Sequence, residues 1–303
     1  MSIKRLVAPV LATVAASLAL GASSASAALP VIYNFPTALA ASLANPGGSP
    51  PGANVPCTPS AAHPRPVVLV NGTFTNQVMS WNAFAPLLKN NGYCVYSFNY
   101  GGPLIGGQIG AYGPVANSAN ELKAKVDQVL AATGASKVDI VGWSQGGMMP
   151  RYYLKFLGGA SKVNALIGLS PSNHGTTLDG LALLAGFIPG ALDLVAAGCP
   201  ACRDQVVGSP FLTTLNAGGD TVPGVKYTVI QTRFDEVVTP YTSAFLSGSN
   251  VTNILIQNKC ILDLGDHISM PYDHVVGREV LNALDPANAR STLCTPVVAG
   301  VGG

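Results

Sequence analysis

The chain has 303 residues, of which 48% are hydrophobic and only 10% charged, with a formal net charge of +2. An ordinary soluble protein carries about 25% charged residues. High hydrophobicity with low charge excludes a disordered chain, and with no basic patch the composition excludes a nucleic-acid binder.

The chain begins with what reads as an address. Lys4 and Arg5 precede an apolar, uncharged run from Leu6 to Leu20, and Ala25-Ser26-Ala27 offers the small residues that signal peptidase needs. The expectation is a secretory signal peptide over residues 1–27. A permanent membrane anchor is not expected, because the run falls short of the ~20 apolar residues of a spanning helix. Loss of Lys4 and Arg5 leaves 14 basic and 14 acidic residues, a formally neutral, extracellular chain. Such a chain suits an apolar partner better than an ionic one. Export permits disulfides, and six cysteines allow 15 pairings. The sequential set is expected: Cys57–Cys94, Cys199–Cys202 and Cys260–Cys294. Cys199-Pro200-Ala201-Cys202 lacks both the second ligand pair of a zinc site and a thioredoxin-like setting.

From residue 28 to 66 the chain is rich in Pro, Ala, Ser and Gly and reads as turns. Val67–Val70 is a short apolar run, read as a buried strand. Met79–Lys89 carries Trp81, Phe84, Leu87 and Leu88 at helical spacing, stopped by Gly92. Tyr93–Tyr100 reads as the next strand, followed by a glycine-rich stretch from Gly101 to Gly113. Asn117–Ala132 reads as an amphipathic helix, Val138–Val141 as a strand, Met148–Leu157 as a helix and Val163–Leu169 as a strand. Lys226–Gln231 and Asn253–Ile256 read as later strands, and His274–Leu284 as a closing helix. Short apolar strands alternating with helices predict an α/β fold: a mostly parallel sheet covered on both faces. Neither a repeat nor a linker is visible, so residues 28–303 are read as one catalytic domain.

Gly142-Trp143-Ser144-Gln145-Gly146 falls where a strand becomes a helix. A G-x-S-x-G match alone is weak. The strand before it and the helix after it supply the context in which such a turn lifts one hydroxyl clear of the sheet. Ser144 is the expected nucleophile. A serine nucleophile needs a base, and the base needs an orienting acid, in the chain order Ser, Asp/Glu, His. Of the four histidines, His63 precedes the serine. His174 follows it too closely and is a candidate only for the entrance. His267, in a loop after the last strand, is preferred over His274, which opens the closing helix. Asp235 lies just past the strand Lys226–Gln231 and is the expected acid, with Glu236 and Asp266 as alternatives. The oxyanion donors are expected from Gln145, after the nucleophile, and from Thr73, in the loop Asn71-Gly72-Thr73-Phe74 after the first strand. Asn71-Gly72-Thr73 and Asn250-Val251-Thr252 also match a glycosylation sequon, a reading set aside for the first because of its loop role.

Leu178–Ala197 carries Leu181, Leu184, Ile188, Leu192 and Val195 at helical spacing, broken by Pro189-Gly190. Asp179 and Asp193 argue against a membrane span. Residues 178–198 are expected to form a small helical cap over an acyl pocket; a pair of core helices is the alternative.

The segments Val70-Asn71-Gly72-Thr73, Trp143-Ser144-Gln145-Gly146-Gly147, Asp235-Glu236-Val237-Val238-Thr239-Pro240 and Asp266-His267 together resemble the secreted bacterial triacylglycerol lipases of the class-2 α/β-hydrolase type. More distantly, the chain is similar to the yeast lipase B type. The resemblance runs from about residue 67 to 286. It implies an α/β-hydrolase fold and a triad of Ser144, Asp235 and His267, with Thr73 and Gln145 as oxyanion donors. It further implies no cofactor and no metal, and ester cleavage through an acyl-enzyme. Many bacterial members carry histidine where this chain has Asn71 and Trp143. The expected substrate is a long-chain triacylglycerol at an oil–water interface, and the expected state a monomer. An exported acyltransferase, or a short-chain or polyester esterase, would use the same triad.

Overall fold

In the computed structural model, residue 1 and residues 27–303 are described, so the expected signal peptide lies almost wholly outside the described residues. The first element corrects the turn-like reading of residues 28–66. Helix α1 spans Phe35–Ala44, with the Asn34 side chain accepting from Thr37 N–H as its N-cap. Phe35, Ala38 and Ser42 face inward at helical spacing; the abundance of small residues and proline obscured that spacing.

Strand β1 is Val67–Val70. The expected helix over 79–89 is two short ones, α2 (Gln77–Trp81) and α3 (Phe84–Asn90). The strand expected over 93–100 shrinks to β2, Val95–Ser97. Helix α4 (Val115–Thr133) ends at Gly134, whose φ of 69° only glycine adopts readily. Strand β3 (Val138–Trp143) leads through Ser144 into α5 (Gln145–Phe156), which starts three residues earlier than its sequence pattern suggests. Strand β4 is Val163–Leu169. The apolar segment after it forms α6 (Leu178–Gly186) and α7 (Ala191–Ala196). Two short helices follow that the sequence reading missed, α8 (Pro200–Gln205) and α9 (Pro210–Asn216), each with proline in its first turn. Strands β5 (Lys226–Gln231) and β6 (Val251–Leu255) complete the sheet, and α10 (His274–Leu284) closes the fold.

The strands form one parallel sheet in the order β2-β1-β3-β4-β5-β6. β1, β3 and nearly all of β4 are buried along their length. Helices lie on both faces, so apolar residues are required at successive positions rather than alternate ones. The half-exposed β6 is an edge strand. This is the α/β-hydrolase architecture.

Strand order dictates where a site can form. The chain leaves β1 toward β2 on one side and re-enters the sheet at β3 on the other. A crevice opens at such a switch point, beyond the carboxyl ends of the strands. The register pairs Val70 with Gly142, which sets the exits of β1 and β3 side by side. Disulfides join Cys57 to Cys94, Cys199 to Cys202, and Cys260 to Cys294, the sequential pairing. Among the described residues, no helix is long and apolar enough to cross a membrane.

Candidate active site

Ser144 sits in the sharp turn between β3 and α5 with φ 56° and ψ −122°, a region that residues with a Cβ rarely occupy. Its flanking glycines explain how the turn closes. A Cβ on Gly142 would run into the Gly146 carbonyl oxygen, and one on Gly146 would run into the Val70 and Asn71 carbonyl oxygens. The glycines therefore let the turn press directly on the end of β1. Gly72 comes equally close from the other side: a Cβ there would lie 3.3 Å from Ser144 Cβ.

Asp235 lies in the loop after β5. Its Oδ1 accepts the Val237 and Val238 N–H groups at 2.9 and 2.7 Å, and both carboxylate oxygens lie 3.0 Å from His267 Nδ1. The side chains of both residues are fully buried. A carboxylate facing Nδ1 holds the proton there and leaves the lone pair on Nε2. That Nε2 is buried and has no hydrogen-bond partner, Ser144 Oγ included. Burial is the largest single influence and works against a charged His267, but Asp235 first, with Glu236 and Asp266 adding to it, outweighs burial, and the imidazole pKa is raised above its ordinary 6.5. Such an imidazole is neutral above its raised pKa and able to accept a proton at Nε2.

The runners-up do other things. Glu236 Oε2 accepts the His267 backbone N–H at 3.3 Å, and burial raises its carboxyl pKa. Asp266 Oδ1 accepts the Ser269 N–H at 2.9 Å. The His274 ring is bonded to Gly303 O, Leu293 O and Thr295 Oγ1 and anchors the C-terminal segment. His174 is held by Ser243 O and Asp220, and His63 stacks on Tyr93.

Thr73 and Gln145 meet where expected. Thr73 Oγ1 donates to Gln145 Oε1 at 2.7 Å. Gln145 N–H is the first of α5, where a helix offers its own N–H groups no internal acceptor. Sequence reasoning missed the residue that ties this corner together. Gln205, at the end of α8, donates through Nε2 to Thr73 Oγ1 at 2.9 Å and to Gln145 Oε1 at 3.3 Å, and accepts from Ser172 Oγ at 2.9 Å. No local motif marks Gln205, since its partners lie 132 and 60 positions away.

Asn71 and Trp143, the two departures noted in the sequence, both brace the site. Asn71 Nδ2 donates to Thr75 O at 2.7 Å, while its own carbonyl accepts from the Tyr100 hydroxyl, which pins the loop that carries Thr73. Trp143 Nε1 donates to His267 O at 3.1 Å, and the two rings lie 5.6 Å apart. The cluster is closed to solvent: Ser144 is 2% exposed. An apolar cleft of about 540 Å³ runs between the glycine-rich loop, at Ile105 and Ile109, and the α6–α7 pair, at Pro189 and Leu194. No member of the Ser144 cluster lines it. Among the described residues, no three His, Cys, Asp or Glu side chains are grouped as a metal shell.

The profile of the family described as Lipase (class 2) matches residues 64–275, well over half of the chain. The chain belongs to the class 2 lipase family. Relatives of the chain include lipase B of Pseudozyma antarctica, 29% identical over 188 residues, covering 57% of this chain and 52% of that protein. A triacylglycerol lipase of Pseudarthrobacter phenanthrenivorans is 40% identical over 97 residues, covering 30% of this chain and 28% of that protein. The chain thus spans about half or less of these relatives' length. Among solved structures, Aspergillus fumigatus lipase B superposes with a TM-score of 0.61 at 22% identity, over 84% of this chain and 58% of that one. Mature Bacillus licheniformis lipase BlEst2 gives a TM-score of 0.55 at 19% identity, over 81% of this chain and all of the other. At such identities these likenesses establish the fold.

Proposed function

We propose that this class 2 lipase is a serine ester hydrolase acting through an acyl-enzyme on Ser144. The observation that carries this reading is the buried Asp235 carboxylate on His267 Nδ1, with Nε2 left unbonded and the imidazole 5.6 Å from the ring of Trp143, the residue next to the strained Ser144. His267 Nε2 takes the Ser144 proton as Oγ attacks the ester carbonyl, then returns it to the departing alcohol. Charge on the tetrahedral oxygen is met by the N–H groups of Thr73 and Gln145. The Thr73 hydroxyl is engaged with Gln145 Oε1, so the loop's contribution is its backbone N–H. Water, activated by the same imidazole, then releases the acid.

The substrate side of the proposal rests on the cap. α6 and α7 bury Leu181, Leu184 and Ala191 inward, while Leu178, Leu183 and Leu192 stand exposed. Exposed leucines on this charge-poor helix pair, together with a buried Ser144, fit long-chain triacylglycerols met at an oil–water interface, with the pair acting as a cap. The relatives named as triacylglycerol lipases support the same substrate class. Residues 28–303 would then work as one secreted, monomeric catalytic unit after loss of residues 1–27.

The test is hydrolysis of p-nitrophenyl esters of graded chain length and of emulsified triacylglycerol, with wild type beside Ser144→Ala. Activity rising with chain length and abolished in the variant is expected. A folded, oxidised wild type with no ester activity overturns the proposal.

A further inference from the structure

The loop that carries His267 starts at Asp263 and ends at Asp273, and the two aspartates meet. Both are completely buried. Asp263 Oδ1 accepts the Gly265 N–H at 2.8 Å. Asp273 Oδ1 caps α10 by accepting the Val275 and Val276 N–H groups at 2.7 and 3.2 Å. That leaves Oδ2 on each residue, and each Oδ2 is buried with no N–H or hydroxyl donor. The two carboxyl groups close on the same point at Gly265, with no donor for either Oδ2. Gly265 shows how tightly the loop is drawn in, because a Cβ there would lie 2.9 Å from Asp263 Oδ1 and 3.3 Å from Asp273 Oδ2.

Two ionised carboxylates in contact in a dry interior repel strongly, and one proton between them turns the repulsion into a hydrogen bond. We propose that Asp263 and Asp273 share a single proton, and that this acid pair clasps the His267 loop and positions the imidazole. The proposal rests on the reading of His267 as the general base. Both aspartates are positioning residues, since neither touches the reacting atoms.

The surroundings favour the protonated pair. Burial, and then Asp263 itself, hold the Asp273 carboxyl well above the usual carboxylate range. Among the described residues no cation bonds to either carboxyl. On α10, Arg278 acts on the nearby Tyr33 phenol, and Glu279 pairs with Lys259 at 3.3 Å. The His274 ring is spent on the C-terminal segment. From the N-terminal segment Tyr33 faces the pair; burial first, and Asp273 second, raise its phenol to about 12, so it adds no charge below that pH. Within the loop Asp266 is bonded to Ser269 N–H.

The consequence is an alkaline limb. As pH rises the shared proton is lost to hydroxide, the carboxylates separate, and His267 loses its register with Asp235. Asparagine at either position presents an N–H where the shared proton sat and cannot ionise. The test measures kcat and KM from about pH 6 to pH 10 for wild type, Asp273→Asn and Asp263→Asn. Wild-type kcat should fall on the alkaline side. The fall should move up by about one pH unit or more in either variant, with KM little changed. An alkaline limb identical in all three proteins overturns the proposal, as does a shift confined to KM. A purely structural pair would alter unfolding without moving this limb.

The His267 imidazole resonances against pH, read in the same proteins, need no substrate and separate this proposal from the hydrolase reading. An alkaline step in the wild-type spectrum that is missing from the variants supports the clasp even if no ester is cleaved. Its absence from the wild-type spectrum overturns the clasp even if esters are cleaved and neither variant folds.

Discussion

Gly146→Ala tests how the nucleophile turn is built. The added methyl carbon would lie 2.5 Å from the Asn71 carbonyl oxygen and closer still to that of Val70, where real contacts do not fall below 3.0 Å. Both obstacles are backbone, so no side chain can swing aside. The closer Val70 contact sets the scale: the end of β1 or the start of α5 must retreat by about 1 Å to clear it. Overpacking of this kind costs about 1–3 kcal/mol. Replacing glycine inside a helix returns about 0.5–1 kcal/mol, so a net loss of up to about 2.5 kcal/mol is expected. The larger effect falls on catalysis. The displaced backbone carries Thr73 on one side and Gln145 on the other, the two proposed oxyanion donors. A misplacement of about 1 Å costs about 100-fold, so kcat should fall by about that factor. The assay is kcat and KM on a soluble p-nitrophenyl ester, normalised to active sites by fluorophosphonate titration, with urea unfolding alongside. A kcat within about threefold of wild type, in a protein that unfolds as wild type does, would refute the packing argument.

Other consequences follow from the same geometry. Asp235→Asn removes the charge that raises the His267 pKa; kcat should fall about 10⁴-fold. In wild type the acid limb of the pH–rate profile should lie above 6.5, because the imidazole must be neutral to act as base; a limb below 6.5 would contradict the Asp235 contact. Gln205→Leu leaves Thr73 Oγ1 and Gln145 Oε1 without their shared donor, a loss of about 1–3 kcal/mol that should appear mainly in kcat. An unchanged kcat would show that Gln205 does not support the oxyanion corner. Replacing Cys260 and Cys294 by serine opens a loop with a sequence separation of 34, which should lower unfolding stability by about 4 kcal/mol in a denaturant titration.

Asp273→Asn should also change stability in a pH-dependent way. The Asp273 pKa is raised on folding, so its contribution is complete below the ordinary carboxylate pKa of 3.8 and is lost as pH rises toward the folded value. The gain in stability from asparagine should therefore widen as pH increases, and a gap independent of pH would argue against a shared proton.

Elements whose cause is local are legible in the order of residues. β1, β3 and β4 were legible as apolar runs because a sheet covered on both faces needs apolar residues at consecutive positions. The Ser144 turn was legible because the glycines that permit it sit within two residues of the serine. The helix over His274–Leu284 carried its own cap in Asp273. Helix α1 escaped because its inward positions include Ala38 and Ser42, which carry almost no apolar signal. The short helices α8 and α9 have too few turns to show a period.

The tertiary structure alone decided which groups meet. His267 was already preferred over His274 from its loop position and the family resemblance; the fold adds that its ring faces Asp235 across 32 positions, while the His274 ring is taken up by the C-terminal segment. Gln205 and the Asp263–Asp273 pair belong to no motif, and the bond from Trp143 to His267 O is one its motif does not announce, since each acts on a neighbour that chain order does not supply. Local chemistry writes strands, turns and caps into the sequence; the hydrogen bonds that aim a base or hold an oxyanion loop exist only once the sheet has set their strand ends side by side.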